Sequence, residues 1–341
     1  MEDSSRTQSN IIMRRSVYTF LQNYHFFTTT AAILAFPYSL SILVSQFSVP
    51  HSPLLPAIHG HLEAIFMAAE FPPSSKLFNV LGFKISQTVS SSIFALPFTL
   101  SFFLLSKASV IHLLKRHNPT SSPPPSFSSI FPLHKPLLST FVCNLFLLLA
   151  ANSTAFSILF FGFHFINGFG FFSSSPNWIT FMSAAGAVVY SIILANAIIV
   201  CNLALVSSGM EKSGGYMAIL KACVLIKGRT LTALALAVPG NLVLAAIEAL
   251  FHYRVVSRVY RYGGGGGGDF NGFWMGLEGV LIAYLYSILL VFDGVVSSMF
   301  FKSCKTGCLV DQEGRCCYQI EIVADKDGNG YVKLKNIEEF P

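Results

Sequence analysis

Asp293 stands in the stretch GVLIAYLYSILLVFDGVVSSMFF, Gly279 to Phe301, an apolar run long enough to cross a bilayer. An ionised carboxylate there is expensive and faces a partner or a wet cavity, so Asp293 is a candidate intramembrane polar site. Two chemistries fit: a proton or solute relay, or a carboxyl held by hydrogen bonds across helices. Glu248 and Glu278 fall instead near the outer ends of their apolar runs, close to Arg254, Arg258 and Arg261, where interfacial ion pairing accounts for them.

The other reactive side chains are weaker candidates. Cys304, Cys308, Cys316 and Cys317 in SCKTGCLVDQEGRCC match zinc in number, but three intervening residues in one pair and none in the other suit a tetrahedral site poorly. Thiols beside an apolar run and beside Lys302 and Lys305 are candidate palmitoylation sites. In HGHLE, His59, His61 and Glu63 converge only on extended backbone, whereas the following LEAIFMAAE reads as helix. No metal or other cofactor is expected, and no nucleophile pairs with a base, so no enzyme is expected either.

DKDGNGYVKLKN, Asp325 to Asn336, begins like an EF-hand loop, but its twelfth position is Asn336, where a bidentate glutamate is needed, and Glu338 comes two residues late. CYQIEIVA before it and YVKLKN after it alternate polar and apolar residues. Asp-Lys-Asp-Gly-Asn-Gly is therefore expected at the tip of a β-hairpin.

These residues need a frame, and the composition supplies it. Of 341 residues 53% are hydrophobic and only 11% charged, with a mean hydropathy of +0.60, against roughly 25% charged in soluble domains. The expected fold class is an all-α membrane protein: a bundle of about six transmembrane helices with a short cytoplasmic β-hairpin tail. The spans are read at 26–47, 88–105, 137–161, 179–206, 231–251 and 276–301, between an N-terminal segment, 1–25, and a tail, 302–341. The second could continue through SKASVIHLLKRH, with Lys107 snorkelling to the interface. A cleaved signal peptide fits the first run badly, since it is too long and no A-x-A site closes it.

Basic residues set the orientation. With Arg6, Arg14 and Arg15 cytoplasmic, both termini share that side with Lys115, Arg116, Lys135, Lys212, Lys221, Lys227 and Arg229; Arg254, Arg258 and Arg261 violate the rule locally. The net charge of +6 is modest and forms no stripe interleaved with aromatics, so no nucleic-acid partner is expected. The Pro/Ser-rich linker Asn118 to Pro132 and the six glycines Gly263 to Gly268 read as connectors. AFPYSLSILV, from Ala35, and ALPFTLSFFL, from Ala95, echo one another: in each a proline frees a helix carbonyl, and Ser39, Ser41, Thr99 and Ser101 offer local hydrogen bonds that make the kink tolerable in lipid. Asn144, Asn152, Asn196, Asn202 and Asn241 add polar groups suited to joining helices, and the N-S-T sequon at Asn152 lies inside a span, where glycosylation is not expected.

Between the fourth and fifth spans, EKSGGYMAILKACVLIKGR has Met217, Leu220, Cys223 and Val224 near one helical face, with Lys221, Lys227 and Arg229 as candidate contacts to lipid headgroups. A structural elbow under the bundle is the competing reading. This stretch resembles the E-x-x-x-G-x-x-A-x-x-K-x-x-x-L-I-K-G element of a family of uncharacterised plant multi-pass membrane proteins, with Glu211, Gly215, Ala218, Lys221, Leu225, Ile226, Lys227 and Gly228 in the matching places. FPYSLSIL, LLSKASVIHLL, SFSSIFPLHKPLLSTF and FFKSCK resemble its other segments in the same order. The resemblance implies a six-span membrane protein without an established activity, and the location expected for the chain is the plasma membrane or an endomembrane. The function expected is a non-enzymatic scaffold or adaptor, its partners membrane lipids and cytoplasmic proteins reached through the tail. The alternative is a small-solute or proton-coupled transporter or channel using Asp293.

Overall fold

With no water to satisfy exposed peptide groups in lipid, an apolar run must close its backbone hydrogen bonds within itself, and helix is the local solution. The computed structural model describes residues 2–68, 76–115, 127–168, 176–211, 213–262, 269–307, 318–324 and 330–336. Its helices are α1 (Glu2–Gln22), α2 (Tyr24–Thr30), α3 (Phe36–Ser48), α4 (Leu54–Ala68), α5 (Lys76–Phe98), α6 (Leu104–Lys115), α7 (Phe127–Gly168), α8 (Pro176–Glu211), α9 (Tyr216–Ile226), α10 (Thr230–Phe251), α11 (Ser257–Tyr262) and α12 (Asp269–Gly307). Wide π turns at Ala31–Ala35, Thr99–Phe103 and His252–Val256 join α2 to α3, α5 to α6 and α10 to α11.

Six helical stretches are long and apolar enough to cross a membrane: Tyr24–His51, Gly82–Lys115, Ile130–Gly162, Ala184–Glu211, Thr230–Val259 and Phe273–Lys305. This is a multi-pass membrane protein. The short helix expected around HGHLE is α4, and SKASVIHLLK does continue the second span, as α6.

The expected fold class is corrected in its tail. Among the described residues the body is all-α, no strand enters it, and a β-hairpin domain is not part of the fold. Tyr318–Ala324 (β1) and Gly330–Asn336 (β2) face only each other, Ile320 opposite Leu334, while the expected tip, 325–329, lies outside the described residues. Alternating residues write a local strand preference, but two strands bury too little to form a layer of their own.

The two echoing segments meet in space. Pro37 and Pro97 each lack the N–H that a regular α-turn needs, and a π turn beside each takes up the missing bond. The expected local bonds are present: Ser39 Oγ donates to the Ala35 carbonyl at 2.9 Å, Ser41 Oγ to Tyr38 at 2.7 Å, Thr99 Oγ1 to Ala95 at 2.9 Å and Ser101 Oγ to Pro97 at 2.7 Å. Tyr38 then lies against Phe103 with ring centroids 4.9 Å apart. The chain thus carries two kinks that pack on one another.

Helix α12 is the most buried of the six spans and contributes to two core clusters. One gathers Phe27, Leu43, Val110, Phe251, Val291 and Val295; the other joins Ile12 of α1 to Ile219 and Ile226 of α9 and to Phe300 and Phe301. A third packs Leu104 and Ile111 of α6 on Leu137 of α7 and Leu205 of α8. Alanines at the closest approaches, among them Ala31, Ala35, Ala108, Ala204, Ala218, Ala222 and Ala283, are fully buried. In lipid, helices associate through such close packing and not through an apolar driving force.

Candidate functional site

The intramembrane carboxylate has a partner. Lys107 Nζ on α6 donates to Asp293 Oδ2 on α12 at 3.1 Å, across 186 residues of sequence. The snorkelling expected of Lys107 is corrected: its side chain is only 6% exposed, and the ammonium sits 5.6 Å from the Phe103 ring centroid. A buried ammonium without a counter-ion in low dielectric is costlier than one turned toward a carboxylate, and the aromatic face adds to its stabilisation. The extension of the second span as α6, which follows the π turn, is what places Lys107 against Asp293. The N-terminal π turn, Thr99–Phe103, sits four residues ahead of Lys107.

Asp293 is less enclosed, at 31% exposure, and its open side faces a cavity of about 40 Å³ between α8, α10 and α12. Asn202, Asn241 and Ser297 line it together with Asp293. At roughly 10–15 Å³ per water, it has room for about three or four waters. Gly240 of α10 faces the carboxylate: a Cβ there would make an ordinary contact with Asp293 Oδ1 at 3.7 Å. Lys107 precedes Lys115 by eight residues and Asp293 precedes Lys302 by nine, so the pair lies about 12–14 Å below the basic rim at 1.5 Å per residue. That is well inside a hydrocarbon core of about 30 Å.

Further stations mark α12. Tyr286 Oη donates to Glu248 Oε1 of α10 at 2.9 Å, so Glu248 is held by a phenol within the bundle and not by the arginines expected to pair with it. Glu278 does take those arginines, Arg254 at 3.3 Å and Arg258 at 3.4 Å. Neutralised in this way, Arg254 and Arg258 carry less weight against the charge rule for orientation; the Arg261 side chain lies outside the described residues. Toward the basic end, Lys302 Nζ donates to the Leu114 carbonyl. Sequence offsets of eight, seven and nine residues from Glu278 to Tyr286, Asp293 and Lys302 would have revealed this spacing.

The asparagines divide by role. Asn144 Nδ2 donates to the Cys201 carbonyl at 2.9 Å and Tyr190 Oη donates to Asn152 Oδ1 at 2.8 Å, both joining α7 to α8. Asn202 and Asn241 instead line the cavity beside Asp293.

The basic elbow divides its charges. Among Lys221, Lys227 and Arg229, two turn inward: Lys221 Nζ pairs with Glu211 Oε2, and Arg229 Nη1 donates to the Ser303 carbonyl at 3.4 Å. Lys227 stays exposed. Glu211 also takes Lys305 of α12 at 3.3 Å, so one half-buried carboxylate ties α8, α9 and α12 together. Its desolvation is offset by those ammonium groups. Glu211→Gln is therefore expected to lower the unfolding free energy by about 2 kcal/mol, measured by thermal unfolding in lipid nanodiscs.

The rest of the elbow is packing. Gly215 has φ +75° and donates its N–H to Thr140 Oγ1 at 2.9 Å, while that hydroxyl donates to the Pro136 carbonyl at 2.8 Å. Ala218, Ile219, Ala222 and Ile226 form the buried face of α9, and Met217, Leu220, Cys223 and Val224 are exposed. Gly228, at φ +83°, turns the chain into α10.

Of the candidate palmitoylation sites, Cys304 is buried at 4% exposure in the cluster with Phe300 and Phe301, and Cys308, Cys316 and Cys317 lie outside the described residues. His59 and His61 both sit on α4, where residues two apart do not face one another. Among the described residues, no three His, Cys, Asp or Glu side chains cluster to hold a metal ion.

No curated protein and no solved structure matches the chain. Residues 8–308, spanning all six apolar helices and the Lys107–Asp293 pair, match the family described as domain of unknown function (DUF8558), and the chain belongs to that family.

Proposed function

We propose that this is a non-enzymatic multi-pass membrane protein that passes protons or a small polar solute by way of Asp293. One observation carries the reading: a carboxylate in the bundle is ion-paired to Lys107 on one side and, on the other, lines a small, mainly apolar cavity that Asn202, Asn241 and Ser297 share. Such a group can exchange its ammonium partner for a proton or a solute, whereas a closed ion pair cannot. Lys107 and Asp293 would compensate each other at rest, and Asn202, Asn241 and Ser297 would offer hydrogen bonds to what enters. Both termini lie in the cytosol in this reading, where Lys115, Lys302 and Lys305 form the basic rim.

The test is flux. Full-length protein in liposomes loaded with a pH-sensitive dye is expected to relax an imposed pH step faster than empty liposomes, and Asp293→Asn to return the rate to the empty-liposome level. Equal rates for wild type and variant overturn the reading. A second reading, a scaffold that presents α9 to lipid or to cytosolic proteins, rests on the exposed Met217, Leu220 and Val224 beside Lys227. Proximity labelling from the C-terminus with no enrichment over another multi-pass protein would remove it.

A further inference from the structure

Helix α1 precedes the first span, yet it is built into the bundle. Ile12 shares a core cluster with Phe300, Phe301 and Cys304, and Phe20 meets the Phe292 ring edge-on at 5.7 Å, so α1 runs antiparallel to the end of α12. Arg14 and Arg15 consequently lie near the level of Met299 and Lys302, at the basic rim. Both arginines are exposed, and no ion pair among the described residues uses either.

Directly beside them is a groove of about 730 Å³ lined by Arg14, Arg15, Val17, Tyr18, Leu21 and Met299, among others. Its polar part is at the arginine end. From Arg14 to Leu21 the helix descends seven residues, about 10 Å, from the rim to the depth of Phe292. Val17, Tyr18 and Leu21 are exposed along that descent. A phospholipid has the same order of chemistry as this strip: anionic phosphate above, hydrocarbon below.

We propose that this groove is a binding site for an acidic phospholipid, its phosphate held by Arg14 and Arg15 and one acyl chain laid along Val17, Tyr18 and Leu21. Two guanidinium groups suit a phosphate, each offering paired N–H donors to its oxygens. The charge excludes a neutral lipid as the preferred occupant, because a zwitterionic headgroup returns less for the same desolvation. This site is separate from the Asp293 cavity and does not depend on its role.

Native mass spectrometry of the full-length protein, released from nanodiscs of mixed phosphatidylglycerol and phosphatidylcholine, tests it. Wild type is expected to retain phosphatidylglycerol over phosphatidylcholine, and Arg14→Gln/Arg15→Gln to lower that preference roughly tenfold. Leu21→Trp, which fills the apolar end without touching charge, is expected to lower retention as well. Lys135→Gln, an exposed cation on α7 outside the groove, is expected to leave the preference unchanged. Equal retention of the two lipids by wild type, an unchanged preference in the double arginine variant, or an equal loss in Lys135→Gln would each overturn the site.

Discussion

Asp293→Asn is expected to destabilise the protein by about 3 kcal/mol, measured as unfolding free energy or the matching drop in Tm in nanodiscs. The cost arises on Lys107, whose ammonium is only 6% exposed and 3.1 Å from the carboxylate. An amide returns a dipole for the lost charge, and the buried cation is left mostly uncompensated. Lys107→Met is expected to cost less, since Asp293 is 31% exposed toward its cavity and is less desolvated than the 6% exposed lysine. Lys107→Met/Asp293→Leu removes both charges and is expected to recover most of the stability, because well-packed apolar groups match a buried ion pair. Three variants with wild-type stability would show that the two groups are uncoupled. A destabilised single variant with a stable double one separates the structural value of the pair from its role in flux, which the double variant lacks in either case.

Gly214→Ala is the second large effect, expected at about 1–3 kcal/mol by the same measurement. A Cβ at Gly214 would stand 2.9 Å from both Cα and the carbonyl oxygen of Pro136. Those are backbone atoms of α7 and cannot rotate aside, so α7 and the α8–α9 link must separate. Gly228→Ala provides the comparison. Its Cβ would meet nothing within 4 Å, and only the φ of +83° resists it, at about 1 kcal/mol. An equal or smaller loss for Gly214→Ala would mean that the contact with Pro136 does not hold the elbow together.

The two positions explain much of the element from Glu211 to Gly228. Glu211 and Lys221 are an ion pair, Gly215 supplies a positive φ and a donor to Thr140, Ala218 fits where no larger side chain does, and Gly228 ends the turn. Spacing alone suggested amphipathic contact with lipid. A carboxylate ten residues upstream of a lysine looks remote in one dimension, and only the turn at Gly214 and Gly215 brings them together. Glu248 was misjudged for a related reason. Arg254 and Arg258 are nearer to it in sequence, but the π turn at His252–Val256 carries them to Glu278 and leaves Tyr286 as its partner.

What the residues determined unaided was the solvent and the local geometry. Runs of about 20 apolar residues in a chain with 11% charge dictate membrane helices, because lipid offers backbone groups no other partner. Pro37 and Pro97 with their neighbouring hydroxyls likewise dictate where helices bend, since both the lost donor and its replacement are local. Asp293 was marked by its cost, which depends only on depth. The alternation in the tail was equally visible, yet it produced no layer of the fold, because pairing two strands needs little and stabilising them needs a third surface. Tertiary structure decided the partners: Lys107 for Asp293, Tyr286 for Glu248 and Glu211 for Lys221. Charge pairing in low dielectric selects the nearest opposite group in space, and that distance is set by helix packing across as many as 186 residues.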